Sequence, residues 1–448
     1  MGQNKIWGFL EKYMVGLSII SFILGVGLAY LSTGFAIFVS NIISYVIDLY
    51  AYIAPVIIYL ILAPTLIKLS SVKMTNGKNF AFHATAWLAG RRLMACLWGV
   101  VFTVLVFGLP LYADGGSSVS DAILESLTSF GWMAIYSFYF YAIYAALLTV
   151  VVSHKIPKIK NFLTKGCDYI EWGGKYLMPV IPVFMLAIGA YLYYLPTILN
   201  TEVGGMEASA YTHTLTVFGF AIHPGTPAGI ILVYLVIALL VGLACIIWHS
   251  ILLLYTKHCV KDFSIKNYFK NYWSKVYPLL WATSSEALAT PLNLHLVKKH
   301  YPNIKPEVRR FVVGAGSFLN INGTLICVII LAGAVCSLLG IEISFVQLLI
   351  AVPLVFMLGY GVPGIPGELI IFAGPMVTIL GVKPEIAPIF LALYVGLQIG
   401  LPDSFRTGSN STDNCLCALL INKTYEKNSI AEDLTLEHYD NTVLGVKQ

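Results

Sequence analysis

The residues best suited to chemistry form a polar run inside an otherwise apolar segment, residues 386–421. This run contains Asp403, Arg406, Thr407, Asn410, Asp413 and Asn414. The spacing predicts that these side chains share one face of a single helix. An ionisable side chain at mid-membrane costs roughly 2.5–3.5 kcal/mol on insertion scales, so an intramembrane face of this kind indicates a functional site. An ion pair between Asp403 and Arg406 alone does not explain a face that stays polar for almost three turns.

The chemistry predicted for this face is anion binding. Arg406, with Asp403 one turn before it and Thr407 and Asn410 after it, is a bidentate receptor for a carboxylate. Asp403 can also accept hydrogen bonds from a substrate ammonium, which favours an amino acid over a plain dicarboxylate. The alternative is that Arg406 pairs internally with Asp403 and that the substrate is a neutral or sulfur-containing amino acid such as cystine.

A second group of polar residues is rich in oxygen and poor in charge. It consists of Asn320, Asn322, Asn410, Asn414 and Asp413. Hard cations take carbonyl, amide and carboxylate oxygens as ligands, so this group predicts a bound coupling cation. We expect no cofactor other than the coupling ion. A hydrogen-bond network with no bound ion is equally consistent with the pattern.

The composition fixes the class of protein that must position these residues. Of 448 residues, 58% are hydrophobic and 11% are charged, against roughly 25% charged residues in soluble domains. At about 20 apolar residues per spanning helix, this content suffices for several membrane-spanning helices. The composition therefore predicts a polytopic membrane protein and not a nucleic-acid binder. The predicted membrane core has no Ser–His or His–Glu pair, so we do not expect an enzyme.

Apolar runs and basic residues together predict the topology of the first half. Six spans are expected at 13–32, 45–68, 93–112, 131–153, 176–198 and 228–256. The loops near 33–44, 113–125 and 199–227 have no Lys or Arg, whereas the alternate loops are basic. The positive-inside rule then places both termini in the cytoplasm, with the chain in the plasma (inner) membrane as a multi-pass protein.

The second half is interrupted by polar and helix-breaking residues. Segment 277–297 breaks at Thr283–Glu286 and has basic residues at both ends, which predicts a re-entrant hairpin rather than two spanning helices. The Gly- and Pro-rich stretch 359–368 predicts a second hairpin of opposite orientation. Between them, the Asn320–Thr324 stretch predicts unwound backbone within the span 311–338. The expected fold is all-α, with eight transmembrane helices and two oppositely oriented re-entrant hairpins.

Four motifs of this half, about 277–422, occur in a recognisable order. They are TSSEALATP, NINGT, GVPG and DSFRTGSNSTDN. In this order they resemble the dicarboxylate/amino acid:cation symporter family, which includes the glutamate transporters. The first half is similar to that family only in its number of spans and its loop lengths.

The resemblance implies a homotrimer in a lipid bilayer that works as an elevator. Residues 1–256 would form six helices, of which helices 1, 2, 4 and 5 are a fixed scaffold and helices 3 and 6 move. Residues 257–422 would form the transport core, from hairpin 1 through helix 7 and hairpin 2 to helix 8. Residues 423–448 would be a cytoplasmic tail.

The resemblance also implies roles for individual residues. Arg406 would bind the side-chain carboxylate of the substrate and Asp403 its amino group. Further substrate contacts would come from Asn410, Thr324, Ser285, Val362 and Gly364. The cation ligands would be Gly316, Asn320, Asn322, Asn410 and Asn414, next to Asp413. The expected function is uptake of an acidic amino acid or C4-dicarboxylate, coupled to sodium or protons.

Several positions depart from the family pattern. Asn322 and Asn414 stand where Asp is usual, and Asp413 is displaced by one residue, so fewer sodium ions or proton coupling are expected. Glu286 interrupts the serine run and Glu368 follows the second turn. A buried carboxylate can take up a proton, so each is either a protonatable group or a specificity element. The alternative is that both are solvated at a cavity mouth.

Overall fold

A computed structural model gives the architecture of most of the chain. It describes residues 2–42, 77–112, 138–156, 158–159, 161–163, 180–200, 213–224, 226–284, 286–314, 316–362 and 367–428, with the single residues 45, 56, 59, 63 and 67. Most of the predicted span 45–68, the loop 113–125 and the tail beyond 428 lie outside these described residues, as do residues 201–212 and 225 of the loop 199–227.

Helices dominate the described first half. They are α1 (Gly2–Leu31), α2 (Thr33–Ile42), α3 (Gly77–Phe107), α4 (Phe138–Lys155) and α5 (Val180–Asn200). The predicted spans at 13–32, 93–112, 131–153 and 176–198 fall largely on α1, α3, α4 and α5. The prediction of a loop near 33–44 was wrong. Its residues Gly34–Val39 are almost all apolar, and a helix satisfies the backbone groups of such a segment internally.

A short β-hairpin corrects the expectation of an all-α chain. Strands β1 (Leu215–Val217) and β2 (Phe220–Ile222) pair in antiparallel fashion, with Thr216 opposite Ala221. The turn residues Phe218 and Gly219 both have positive φ, 49° and 81°, as a tight hairpin turn requires. The amide N–H of Phe218 donates to the carbonyl of Val106 at 2.8 Å, so the hairpin is attached to the end of α3.

The longest described helix is α6 (Pro227–Cys259). Thr226 caps it, because its hydroxyl accepts from the N–H of Gly229 at 3.0 Å. The sequence from Ala228 to Cys259 is long and apolar enough to cross a membrane, as are Ala84–Phe107 and Asn322–Leu339.

The first predicted hairpin is a pair of helices broken at its polar centre. A short helix α7 (Ile265–Tyr268) and a π-helical segment (Phe269–Trp273) lead into α8 (Ser274–Thr283), which is followed by α9 (Glu286–His300). Ser284 has a positive φ of 47°, so α8 ends there. The break therefore lies within the predicted Thr283–Glu286 stretch.

The next span is also interrupted where polar residues predicted unwound backbone. It consists of α10 (Pro306–Arg309), a π-helical segment (Arg310–Gly314), α11 (Gly316–Leu319) and α12 (Asn322–Leu339). Asn320 and Ile321 lie between α11 and α12. Because almost every residue of α12 is buried, its polar start faces protein.

The second predicted hairpin likewise has two arms. Helix α13 (Phe345–Leu358) begins with a capping box at Ser344 and continues into a 3₁₀ turn (Gly359–Gly361). The second arm is α14 (Ile370–Ile379). The described break between the arms thus includes Val362, Gly367 and Glu368.

The predicted last span, 386–421, is not one helix but a bent pair of helices that together are apolar enough for one span. Helices α15 (Ala387–Gln398) and α16 (Leu401–Asn428) meet at 61°. Gly400 has a φ of 82°, a conformation natural to glycine, and Pro402 lacks the N–H that would extend a helix backwards. The Tyr234 hydroxyl donates to the Ile399 carbonyl at 2.8 Å and accepts from the Leu401 N–H at 2.9 Å.

Helix α16 lies at the centre of the second half. It packs against α6, α8, α9 and α12. Its side chains from Pro402 to Cys417 are buried, with the exception of the half-buried Phe405. The polar face predicted from its spacing therefore lies inside the protein and is surrounded by four other helices.

Candidate functional site

The centre of the site is the guanidinium of Arg406, which is 1% exposed. Its Nη1 donates to the Thr324 hydroxyl at 2.7 Å and to the Glu368 carboxylate. Its Nη2 forms an ion pair with Asp403 one turn earlier on α16. We call these four residues the Arg406 cluster. The cluster joins α16, the start of α12 and the segment that precedes α14.

Asp403 connects the same segment to α16 a second time. Its Oδ2 accepts the backbone N–H of Gly367 at 2.8 Å, while Thr407 donates to its Oδ1 at 3.4 Å. Gly367 has a φ of 75°, which an L side chain rarely adopts. This glycine turns the chain so that its own N–H and the carboxylate of Glu368 both reach the charged residues of α16.

Asn410 organises the broken start of α12. Its Oδ1 accepts the N–H groups of Gly323 at 2.6 Å and Thr324 at 3.3 Å, two donors that have no intrahelical partner at a helix start. Its Nδ2 donates to the Thr324 hydroxyl and to Glu286 Oε1, both at 2.8 Å. The amide therefore links the Arg406 cluster to the first residue of α9.

Both glutamates of the site are buried. Glu286 is 0% and Glu368 is 4% exposed, so the alternative of solvated positions at a cavity mouth was wrong. Glu286 Oε2 has no hydrogen-bond partner among the described residues. Three buried carboxyl groups, those of Asp403, Glu286 and Glu368, thus lie near the guanidinium of Arg406.

A second network consists of amides alone, and we call Asn320, Asn322, Asn410 and Asn414 the amide cluster. Asn322 Nδ2 donates to Asn320 Oδ1 at 2.6 Å. Asn320 Nδ2 donates to Asn414 Oδ1 at 2.8 Å and to the Asn410 carbonyl at 3.2 Å. Asn322 Oδ1 is buried without a hydrogen-bond partner in the described chain. Such an oxygen is the kind of ligand that an alkali cation takes.

Gly316 closes the amide cluster from the side of α11. A Cβ at this position would lie 2.6 Å from Asn414 Oδ1, so only glycine lets the backbone approach so closely. The first residue of α11 and the fourth turn of α16 are thereby brought into contact. The family resemblance implied that Gly316 is one of the cation ligands.

Asp413 lies in a different environment from the amide cluster. Its Oδ2 accepts from Arg91 at 2.7 Å and its Oδ1 contacts His249 Nδ1 at 2.5 Å. The Arg91 guanidinium lies over the rings of Trp87 and Trp248, an arrangement that suits a planar cation. Since successive residues of a helix are 100° apart, Asp413 is at the edge of the polar face and turns away from Asn414.

This geometry lies in the part of the chain that resembles a known family in sequence. Residues 214–424 match the model of the sodium:dicarboxylate symporter family. The match extends from β1 to the last turns of α16 and contains all four motifs, so it confirms the resemblance for this half of the chain. The description of the matched family is that of a symporter of sodium and dicarboxylates.

Most of the substrate residues expected from the sequence come together. Arg406, Asp403, Thr407, Asn410 and Thr324 form one hydrogen-bonded group. Val362 is buried where the 3₁₀ turn ends. Ser285 and Gly364 lie outside the described residues.

Sequence reasoning missed three partners in this region. It did not predict that Glu368 pairs with Arg406, that Arg91 pairs with Asp413, or that His249 contacts Asp413. Each pair joins residues of different elements that are far apart in the sequence, so the spacing along one helix does not predict the contact. The available signal was that Arg91 and His249 fall in or beside apolar runs, where an ionisable residue needs a partner.

Proposed function

We propose that the protein is a secondary active symporter that takes up an amino acid through the Arg406 cluster. The observation that carries the proposal is the ion pair of Arg406 and Asp403, buried between broken helices inside the family match. Asp403 accepts hydrogen bonds from the ammonium group of the substrate, and Arg406 is the group that binds a side-chain carboxylate where the substrate has one.

Two substrate classes fit this chemistry. An acidic amino acid or a C4-dicarboxylate fits the family description and a guanidinium that is free to bind a second carboxylate. A neutral or sulfur-containing amino acid such as cystine fits a guanidinium that is paired within the protein. The contacts of Arg406 with Asp403 and Glu368 support the second class.

Sodium is the coupling ion best supported by the amide cluster. Its four side chains offer neutral oxygens, and Asn322 Oδ1 has no hydrogen-bond partner among the described residues. Hard cations bind such oxygens. Protons are the alternative, because Asn322 and Asn414 replace two carboxylates that are usual in the family.

The moving part of the proposed elevator includes α3, α6 and α16. Arg91 on α3 and His249 on α6 both bind Asp413 on α16, which supports movement of these helices as one body. Assembly as a trimer, a plasma-membrane location and cytoplasmic termini complete the proposal. These parts rest on the family resemblance and on the distribution of Lys and Arg.

Transport by the purified protein in liposomes tests this proposal. Uptake of labelled serine, cystine and aspartate is followed under an inward sodium gradient and, separately, under an inward proton gradient. We expect sodium-driven uptake of at least one amino acid and its loss in Arg406→Ala. Competition by malate and aspartate then separates the two substrate classes. Absence of uptake under both gradients would refute the proposed symport.

A further inference from the structure

The guanidinium that should bind a substrate carboxylate already has two carboxylates of the protein as partners. We propose that Glu368 is a specificity residue of the site, which supplies from the protein the carboxylate that an acidic substrate would bring. The site then takes an amino acid whose side chain carries no carboxylate. This inference rests on the proposed amino acid symport and names its substrate class.

The first support is the position of the Glu368 carboxylate. Its Oε1 accepts from Arg406 Nη1 and, at 3.2 Å, from the Thr324 hydroxyl. The side chain is almost fully buried, so water does not compete for these donors. Glu368 therefore uses the same donors, from α16 and α12, that a side-chain carboxylate of the substrate would use.

The second support is that the backbone holds Glu368 in this position. The preceding residue, Gly367, donates its N–H to Asp403 at 2.8 Å. Two consecutive residues of one segment, Gly367 and Glu368, thus bind Asp403 and Arg406 of α16. The pairing of Glu368 with Arg406 is for this reason a property of the folded segment, not of one mobile side chain.

The third support is the balance of charge. Asp403, Glu286 and Glu368 are buried near Arg406. An acidic amino acid adds one net negative charge to this group and a dicarboxylate adds two. Like charges repel strongly in a medium of low dielectric constant. An amino acid with an uncharged or basic side chain adds no negative charge, so the site discriminates through repulsion as well as attraction.

The decisive variant is Glu368→Gln, which keeps the side chain's size and its Oε1 acceptor and removes the negative charge. In liposomes, uptake of labelled serine is measured with unlabelled aspartate, malate, lysine and cystine as competitors. We expect weak competition by aspartate in the parent protein. In the variant the ratio of aspartate to serine affinity should rise about tenfold or more, equivalent to about 1.4 kcal/mol.

Two further variants are the controls. Glu385→Gln removes a carboxylate from the exposed loop between α14 and α15 and should leave the ratio unchanged. Glu368→Asp keeps the charge and should retain the preference of the parent protein. Thermal unfolding of each variant in detergent checks that it is folded.

The outcomes separate this inference from the proposed symport. Preference of the parent protein for aspartate or malate, or an unchanged ratio in Glu368→Gln, overturns the role of Glu368 while transport stands. If uptake fails, stabilisation against unfolding by the same solutes still measures their binding. A binding preference that shifts in Glu368→Gln supports the inference without transport. Absence of stabilisation by every solute in both proteins overturns both proposals.

Discussion

At the scale of single residues, the hydroxyl group of Thr324 connects several polar side chains of the site. Thr324 accepts from Arg406 and Asn410 and donates to Glu368. Three buried side chains from two other elements therefore each have this hydroxyl as one of their partners. A buried polar group that loses its partner retains the full cost of its desolvation.

The first prediction concerns this hydroxyl. Thr324→Val keeps the shape of the side chain and removes the oxygen, so we expect a loss of about 1–3 kcal/mol in the free energy of unfolding. Uptake should fall because Arg406 loses one of its fixed contacts. Thr324→Ser, which retains the hydroxyl, should preserve most uptake. Equal uptake in the Val variant and the parent protein would contradict this role.

The second prediction concerns Asp413, which the sequence grouped with the cation ligands. Asp413→Asn removes the charge that balances Arg91, and breaking a buried pair on one side costs about 3 kcal/mol or more. We therefore expect a lower unfolding temperature with little change in the sodium concentration that gives half-maximal uptake. The comparison variant is Asn322→Ala, which should raise that concentration. A higher sodium concentration for half-maximal uptake in Asp413→Asn would contradict this prediction and support Asp413 as a cation ligand.

The shared face of the polar residues of α16 could be predicted from sequence, because spacing along a helix determines which side chains point in the same direction. Asp403, Arg406 and Asn410 lie on one face, as their intervals require. The pairing of Arg406 with Glu368 could not be predicted, because helices α14 and α15 separate the two residues in sequence. Glu368 also follows a Gly- and Pro-rich turn whose path is set by tertiary contacts. Burial of Glu286 and Glu368 was open for the same reason.

At the scale of elements, polar and helix-breaking residues predicted three of the four breaks that the described residues of the second half show within the predicted spans and hairpins. Thr283–Glu286, Asn320–Thr324 and 359–368 each interrupt a helix where expected. The break at Gly400 was missed, although Gly400 and Pro402 are themselves helix-breaking residues. It depends on Tyr234 of α6, whose hydroxyl binds the backbone on both sides of Gly400. No local pattern contains that contact.

The third prediction concerns the contact of α1 with α5. A Cβ on Gly25 would lie 2.0 Å from the Leu186 carbonyl oxygen, and one on Gly189 would lie 2.2 Å from that of Phe22. Gly25→Ala must therefore separate the two backbones, at a cost of about 1–3 kcal/mol. Gly27→Ala meets no atom within 4 Å and is the matched control. Equal unfolding temperatures of the two variants would contradict this close packing.

At the scale of the whole molecule, the ion pairs and the aromatic contacts divide the helices into two groups. Asp413 joins α16 to α3 and α6, and the Arg406 cluster adds α12 and the segment before α14. Helices α1 and α5 instead pack closely on one another. We proposed these two groups above as the scaffold and the moving body, and Phe22 of α1, stacked on Tyr234 of α6, lies between them.

The last prediction tests relative movement at this boundary. If α6 slides past α1 during transport, a covalent link between Phe22→Cys and Tyr234→Cys should arrest uptake. The ring centroids are 4.7 Å apart, so a short bifunctional thiol reagent can span the pair, and a reducible link allows uptake to be measured again after its removal.

The matched pair is Tyr30→Cys with Tyr193→Cys, whose rings join α1 and α5 at 6.3 Å. A link inside the proposed scaffold should leave uptake unchanged. Tyr234→Cys alone, treated with the same reagent, measures the loss of its hydroxyl contacts with Ile399 and Leu401. If α6 moves relative to α1, the first link should inhibit uptake and its removal should restore uptake. Undiminished uptake in the linked α1–α6 protein would exclude the elevator.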